Sequence, residues 1–359
     1  MKAIKVIINV SKLGKEGTGM WNYTKSFIHS VHEIGHVNGV ICPKHHAEFF
    51  HRYTDSIIQI PDCVSSTSKV SKVKPILFMV YNFLLAFKIK SEKSIIISTT
   101  HHAIPFIKNQ VITIHDLRPL FYPDSFLQKV YFKYILPRTA RNCLAVYTVS
   151  NSVKKQLIEN YNIEPENIHV IYNSIKEDDF LKSDSSGSKS ILAVGCNWKH
   201  KNIHSFINNS DVWKHKYKLR IICANTSYYE ELKTFVNENK LNDCVTFIHN
   251  LSFNELKQEL SNAWCLVYPS IDEGFGIPPI EAMASSTPVI ASDIPVFREI
   301  LGKSAVYVHP DDALSWKNAI EHLESEREKY VELGLLTAQK YSESGMQEMI
   351  RNSLAKFFS

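Results

Sequence analysis

The sequence predicts an α/β protein built from two doubly wound, Rossmann-like domains facing one another across a cleft. Three observations carry that prediction. Short apolar runs alternate with helix-patterned segments from end to end, the signature of parallel sheets covered by helices. The composition breaks at "KSDSSGSKS", Lys182–Ser190, a small-residue polar stretch suited to a linker, and a second alternating series begins beyond it. Finally, 359 residues at 44% apolar and 21% charged composition supply enough material for roughly two domains. The first domain is expected over 1–180, the linker over 181–190 and the second domain over 191–340.

In the first half the strand candidates are Ile4–Asn9, Ile95–Ser98, Val111–His115, Ala145–Ser150 and Ile168–Tyr172. Between the first two, Met20, Tyr23, Phe27, Val31 and Ile34 recur at helical spacing. In the second half the candidates are Ile191–Gly195, Leu219–Cys223, Val245–His249, Cys265–Tyr268, Val289–Ser292 and Val306–His309. Ser252 and Glu255 make a capping box for the helix that leads to Trp264. The start, "MKAIKVIINVSKLG", has too short an apolar run for a signal peptide, so Met1–Val10 reads as the first strand.

A formal charge of +5 is too modest to argue for nucleic-acid binding, and no nucleic-acid partner is expected. Seven cysteines, none in a Cys-x-x-Cys pair, read as reduced thiols of a cytoplasmic protein. The longest apolar block, "PILFMVYNFLLAFKI" over Pro75–Ile89, falls short of the roughly 20 residues that span a bilayer. Lys69, Lys72, Lys74, Lys88, Lys90 and Lys93 flank it. A packed core helix with Pro75 in its first turn is the favoured reading, and an interfacial helix on an anionic leaflet, at the inner face of the membrane, is the other.

Four stretches could carry chemistry. "KEGTGMWNY" follows the first strand, and Gly17 and Gly19 permit a tight turn and close approach of an anion to the backbone. It lacks the third glycine of a dinucleotide fingerprint. His115, ending "VITIHD", is placed at the carboxyl edge of the first sheet. "VGCNWKHKN" sets Lys199 and Lys201 just before a helix, where a lysine suits phosphate. His29, His32 and His36 are placed on one helical face, and His200 and His204 on another. No carboxylate or cysteine completes a site with either group, so no metal is expected there.

The fourth stretch, "YPSIDEGFGIPPIEAM", is the most informative. Gly274, Gly276, Pro278 and Pro279 keep Glu273 on a loop, while Glu281 is expected in the first turn or so of a helix. The prolines carry no N–H, so the amide donors expected for an anion are those of Gly276, Ile277, Ile280 and Glu281. Carboxylates accept hydrogen bonds and repel phosphate, so Glu273 and Glu281 need hydroxyls as partners while the backbone and Lys201 take negative charge. A sugar nucleotide has that layout.

The segment "EGFGIPPIEAMASSTPVIASDIPVFREILGKSAVYVHPDD" closely resembles the donor region of family 4 glycosyltransferases, in which two glutamates stand with seven residues between them. "VITIHDLRPLFYP", "YTVSNSVKKQLIENYNIEPENIHVIYNSI" and "VGCNWKHKN" resemble the same family in the same order. The resemblance implies the GT-B fold, an N-terminal acceptor domain, a C-terminal donor domain, and a segment 341–359 that crosses back to the first domain. It implies that Glu281 binds ribose hydroxyls, that Glu273 binds the transferred sugar, and that Gly274, Phe275, Gly276 and Ile277 cradle sugar and diphosphate. Lys201 would neutralise the diphosphate, His115 would face the sugar, and Gly17, Thr18 and Gly19 would close over the phosphates. Cys196 stands where many relatives have an arginine; Lys199 is the candidate replacement, although a lysine lacks the bidentate fork.

The expected activity is therefore retaining, metal-independent transfer of a mannose-like sugar to a glycan or lipid-linked acceptor of a bacterial surface polysaccharide. No cofactor is expected beyond a GDP-, UDP- or dTDP-linked sugar co-substrate. A sugar-nucleotide epimerase of similar fold and a non-catalytic nucleotide-sugar binding subunit are the alternatives. Likeness to mannosyl- and rhamnosyl-transferring relatives in "HDLRPLFYP" tilts the choice of sugar.

Overall fold

Each pairing between neighbouring strands is parallel in the computed structural model, which describes residues 5–14, 16–64, 74–89, 94–182 and 185–357. The chain divides into two units, one made of Met1–Ser174 with Glu343–Ser359 and the other of Ile175–Ser342.

The first unit contains β1 (Lys5–Asn9), β2 (Val37–Pro43), β3 (Ile57–Ile60), β4 (Ser94–Ser98), β5 (Gln110–Ile114), β6 (Ala145–Thr148) and β7 (Ile168–Val170), in the order β3-β2-β1-β4-β5-β6-β7. The second contains β8 (Ser190–Val194), β9 (Lys218–Ile222), β10 (Val245–Ile248), β11 (Cys265–Tyr268), β12 (Val289–Ser292) and β13 (Ala305–Val308), in the order β10-β9-β8-β11-β12-β13. In both sheets the order reverses beside the first strand, between β1 and β4 and between β8 and β11. Ligands of open parallel sheets bind beyond the carboxyl ends of the strands at such a reversal. Sheets covered on both faces read as nearly continuous apolar runs, as "SIIIS" in β4 and "SILAV" in β8 do.

Two strands, β2 and β3, are absent from the sequence-based expectation. The first carries Gly39 and Pro43, residues that signal turns. Gly39 allows a close approach of β3's lead-in, since an added Cβ would lie 3.2 Å from the Ser56 carbonyl oxygen. The second is only "IIQI", too short to show a period. Residues 1–4 of the expected first strand lie outside the described residues.

Helix Gly19–Glu33 buries Tyr23, Phe27 and Val31, and Thr18 caps it by accepting the Trp21 N–H at 3.3 Å. His36 lies beyond this helix, after a left-handed turn at Gly35, so it does not share the face of His29 and His32. His29 also has carboxylates nearby, Glu33 at 3.9 Å and Glu343 at 4.0 Å. His200 and His204 belong to different elements, the 3-10 turn Lys199–Lys201 and helix Ile203–Asn208. The capping box is formed, with Ser252 N donating to Glu255 Oε2 at 2.7 Å at the start of helix Phe253–Asn262.

The change of unit falls at Ser174 and Ile175, upstream of the stretch 181–190 expected as linker. Part of that stretch is docked on the second unit: Ser185 is buried, donates to the Ala263 carbonyl at 2.7 Å and accepts from Arg327 Nη2 at 2.7 Å. The small polar side chain of Ser185 serves a buried carbonyl and a half-buried guanidinium instead of solvent. Where the chain enters and leaves the second unit its two passes are tied, Ile175 N donating to the Tyr341 carbonyl at 2.8 Å. Helix Glu343–Lys356 then belongs to the first unit. It buries Met346, Ile350 and Leu354, and Ser353 Oγ lies 2.9 Å from the Tyr147 hydroxyl and 2.6 Å from His169 Nδ1.

The second unit's core includes Phe206 between Trp213 and Trp316, at ring distances of 5.2 and 4.6 Å. Helix Ala313–Lys340 packs on helix Ile277–Ala284. At Gly334 the two approach so closely that an added Cβ would meet Met283 Cγ at 3.1 Å.

Candidate active site

In the second unit the loops that leave β8 and β11 meet at the strand-order reversal. Register Cys265↔Ile191 and Leu266↔Leu192 fixes β11 beside β8, so the chain after Val194 and the chain after Tyr268 emerge together. A backbone bond ties them, with Ile271 N donating to the His200 carbonyl at 2.9 Å. Gly195 turns out of β8 at φ 73°.

This geometry brings Lys201 and Glu273 into contact. Lys201 Nζ lies 2.5 Å from Glu273 Oε1 and 2.9 Å from the Tyr268 hydroxyl, with both charged side chains largely shielded from solvent. Burial disfavours the Lys201 ammonium, but Tyr268 and Glu273 more than offset it and raise its pKa. Burial likewise opposes the Glu273 carboxylate, and the Lys201 charge wins, holding its pKa below the usual value. The pair is ionised. An ammonium has three N–H donors, so one remains for a ligand after Glu273 and Tyr268 are served. Tyr268 itself is buried and its pKa is raised, chiefly by burial, so it stays a neutral phenol.

Helix Ile277–Ala284 begins ahead of both prolines, with Gly276 as its N-cap at φ 95°. Glu281 is accordingly not a first-turn residue. Its N–H and that of Ile280 fall within the helix ladder, since the first intrahelical bond runs from the fourth helical residue to the cap carbonyl. Four expected amide donors thus contract to two, Gly276 and Ile277. An added Cβ on Gly276 would lie 2.9 Å from Phe297 Cε1, and the same Phe297 ring packs on Tyr268 at 5.6 Å. Phe275 is buried edge-on against Tyr341 at 5.2 Å, which anchors the loop between Gly274 and Gly276.

Glu281 is only 7% exposed, and burial pushes its carboxyl up to about 7. No side-chain hydrogen bond or ion pair satisfies it among the described residues. A buried carboxylate that no side chain of the described residues serves can accept hydrogen bonds from hydroxyls. Lys199 does not join this group. It is exposed and paired with Glu231 at 2.9 Å. Cys196 is buried, and burial raises its thiol pKa, so it offers no charge in place of an arginine.

In the first unit Gly17 adopts φ 80°, Thr18 caps the helix, and Gly19 is its first residue. His115, just past β5, has Nε2 2.9 Å from the Thr99 carbonyl and stands edge-on to Tyr23 at 4.6 Å. A carbonyl only accepts, so Nε2 carries the proton and Nδ1 of the neutral ring is an acceptor. Burial lowers its pKa. Sequence reasoning passed over Tyr268 and over His101 and His102, which follow β4 and stack at 4.2 Å. Burial drives His101 down to about 4 and His102 well below its ordinary value. Their signal was available, because "TTHH" follows the apolar run of β4 as His115 follows β5. Among the described residues, no group of three or more His, Cys, Asp or Glu is arranged to hold a metal ion.

Two Rossmann-like units with the GT-B strand orders, and a lysine–glutamate pair at the reversal of the second sheet, define a glycosyltransferase fold. Residues 175–335 match the family described as glycosyl transferases group 1, and residues 17–179 match glycosyltransferase family 4. The chain is 47% identical over 353 residues to the O-antigen chain mannosyltransferase RfbU of Salmonella typhimurium, covering 98% of this chain and 99% of that protein. Sucrose-phosphate synthase from Thermosynechococcus elongatus superposes with TM-score 0.80 at 17% identity over 99% of both chains. Anabaena Alr3699/HepE, solved in complex with UDP and glucose, superposes with TM-score 0.74 at 14% identity over 98% of this chain and 99% of that one. The chain belongs to the group 1, family 4 glycosyltransferases.

Proposed function

We propose that this glycosyltransferase moves mannose from a nucleotide-sugar donor onto a lipid-linked O-antigen acceptor, with retention of anomeric configuration and without a metal ion, at the inner face of the membrane. The mannosyl and O-antigen parts follow the relative that shares nearly the whole chain. The observation that carries the donor chemistry is the Lys201–Glu273 pair, whose glutamate lies on the loop that leads into the helix of the unserved Glu281 carboxylate.

Glu281 accepts from ribose hydroxyls and Glu273 from sugar hydroxyls. The third Lys201 N–H, with the amides of Gly276 and Ile277, meets the diphosphate. As the anomeric C–O bond breaks, its electron pair goes to the departing phosphate oxygen. Donors aimed there stabilise the transition state more than the ground state. The acceptor oxygen bonds the anomeric carbon, and its proton passes to the leaving phosphate oxygen. In the first unit, neutral His115 presents Nδ1 as an acceptor for the sugar. The turn Gly17–Gly19 offers helix-start amides to the phosphates.

Incubation with labelled GDP-, UDP- and dTDP-sugars and a lipid-linked acceptor tests this reading. Mannosyl transfer that persists in chelator and gives a product with the donor's anomeric configuration is the expected result. Conversion of the donor to an isomer would replace it with an epimerase, and donor binding without turnover would replace it with a binding subunit.

A further inference from the structure

Helix Lys74–Lys88 is apolar on two opposite sides. Its inner face contributes Phe78 and Leu85 to the core with Ile41, Ile60, Ile96 and Ile104. Asn82, the polar residue of that face, is buried and donates to the Ala103 carbonyl at 2.9 Å. The favoured reading of this segment as a core helix therefore describes one face. The other face leaves Leu77, Val80, Phe83, Leu84 and Phe87 exposed, Phe87 by 68%. A separate loop extends that strip: Phe106 is 80% exposed and meets Phe83 at 5.5 Å, while Phe83 meets Phe87 at 5.2 Å.

Phe106 is held at φ 63°, a left-handed conformation that a bulky side chain adopts at a cost of about 1 kcal/mol or more. A ring kept in that conformation and aimed at solvent is not explained by packing within the fold. Charge identifies the occupant. The helix contains no acidic residue, and the exposed Lys88 and Lys108 stand one residue after Phe87 and two after Phe106 in the chain. A two-fold contact between copies would set this basic patch against itself, with no acidic complement inside it. An anionic bilayer supplies both the apolar interior and the counter-charge. No helix among the described residues is long and apolar enough to cross a membrane.

We propose that the outer face of helix Lys74–Lys88 and the Phe106 loop form a surface that docks on an anionic lipid bilayer. The placement suits a lipid-linked acceptor, because the inner-face Phe78 ring meets His102 at 5.4 Å, at the carboxyl end of β4 where the first sheet reverses order. That purpose rests on the acceptor reading above, whereas the docking itself is measured without any acceptor.

The test is flotation of the full chain with phosphatidylglycerol-containing vesicles and with phosphatidylcholine vesicles, at low and high salt. The wild type is expected to float with the anionic vesicles, less so at high salt. Phe87→Ser with Phe106→Ser should lower the bound fraction about tenfold or more, and Lys88→Glu with Lys108→Glu should remove the preference for anionic lipid. Both pairs should keep the wild-type thermal transition and donor affinity. Wild type that stays in solution with both vesicle types would overturn the proposal, as would a serine pair that floats like wild type. A dimer of the wild type that the serine pair dissolves, with vesicle binding unchanged, would assign the face to a second copy instead. Transfer to a short water-soluble acceptor, measured in parallel, reports on the activity separately from the surface.

Discussion

Lys201 Nζ and Glu273 Oε1 lie 2.5 Å apart although 72 residues separate them, because β8 and β11 are neighbours and their loops are tied by the His200 carbonyl. Removing one partner strands the other charge in a shielded place. Lys201→Met should therefore cost about 2–4 kcal/mol of stability, less than a fully buried pair because some solvent reaches both groups. The double variant Lys201→Met with Glu273→Gln should regain most of that loss in chemical denaturation. Turnover should fall roughly 100- to 1000-fold in the single and stay low in the double, since the phosphate loses its cation in both. Stability that fails to recover in the double would show that the lysine acts through packing rather than charge.

Glu281 makes a pH prediction of definite sign. Burial raises its carboxyl from 4.5 in the unfolded chain to about 7. The folded state then binds a proton that the unfolded state has lost, so stability declines as pH rises between those two values and levels off above them. The full effect is about 3 kcal/mol by order of magnitude. Glu281→Gln should abolish that decline and melt higher than wild type at pH 8. It should also weaken nucleotide binding. Hydroxyl donors favour the ionised carboxylate, so wild-type affinity for the nucleoside diphosphate should fall as pH drops below about 7, and calorimetry should register proton release on binding. Identical pH profiles for wild type and variant would remove Glu281 from the binding site.

The fold was legible wherever the sheets are buried on both faces, since β5, β8 and β11 announce themselves as apolar runs bounded by turn residues. Glycine and proline hid β2, and brevity hid β3. Within the candidate site, Glu273 stood out beside Gly274 on the loop after a strand, Lys201 just ahead of a helix, and Glu281 behind two prolines at a helix start. Their pairing did not, because contact between residues 201 and 273 depends on which strands are neighbours, and periodicity carries no strand order. Tyr268 escaped for a related reason: an aromatic ending an apolar strand looks like core until a lysine is found at its hydroxyl. The partner of Lys199 was not legible either, because Glu231 lies 32 residues downstream on another element.

Gly276 is needed for two independent reasons, its φ of 95° and the 2.9 Å approach of an added Cβ to Phe297. Gly276→Ala should destabilise by about 1–3 kcal/mol and lower donor affinity by distorting the two available amides. Phe297→Leu alone should cost about 1 kcal/mol. Combined, the two should cost less than their sum, because the smaller side chain relieves the clash while the backbone strain persists. Strict additivity in urea denaturation would mean that the loop yields at its backbone instead.

His115 separates a catalytic from a structural role. His115→Ala leaves the Thr99 carbonyl without its donor, a loss of about 1 kcal/mol that should leave a cooperative thermal transition intact. Turnover should fall much further than stability, with the nucleoside diphosphate affinity unchanged, since this residue belongs to the first unit and the donor carboxylates to the second. Burial lowers the His115 pKa, so the folded state favours the neutral ring. Its contribution to stability is present above the unfolded value near 6.5 and is lost as pH falls through the lower folded value. His115→Gln, which can still donate to Thr99, should flatten that acid-side loss and remain poorly active. A variant with normal turnover, or one that unfolds outright, would assign His115 to the scaffold alone.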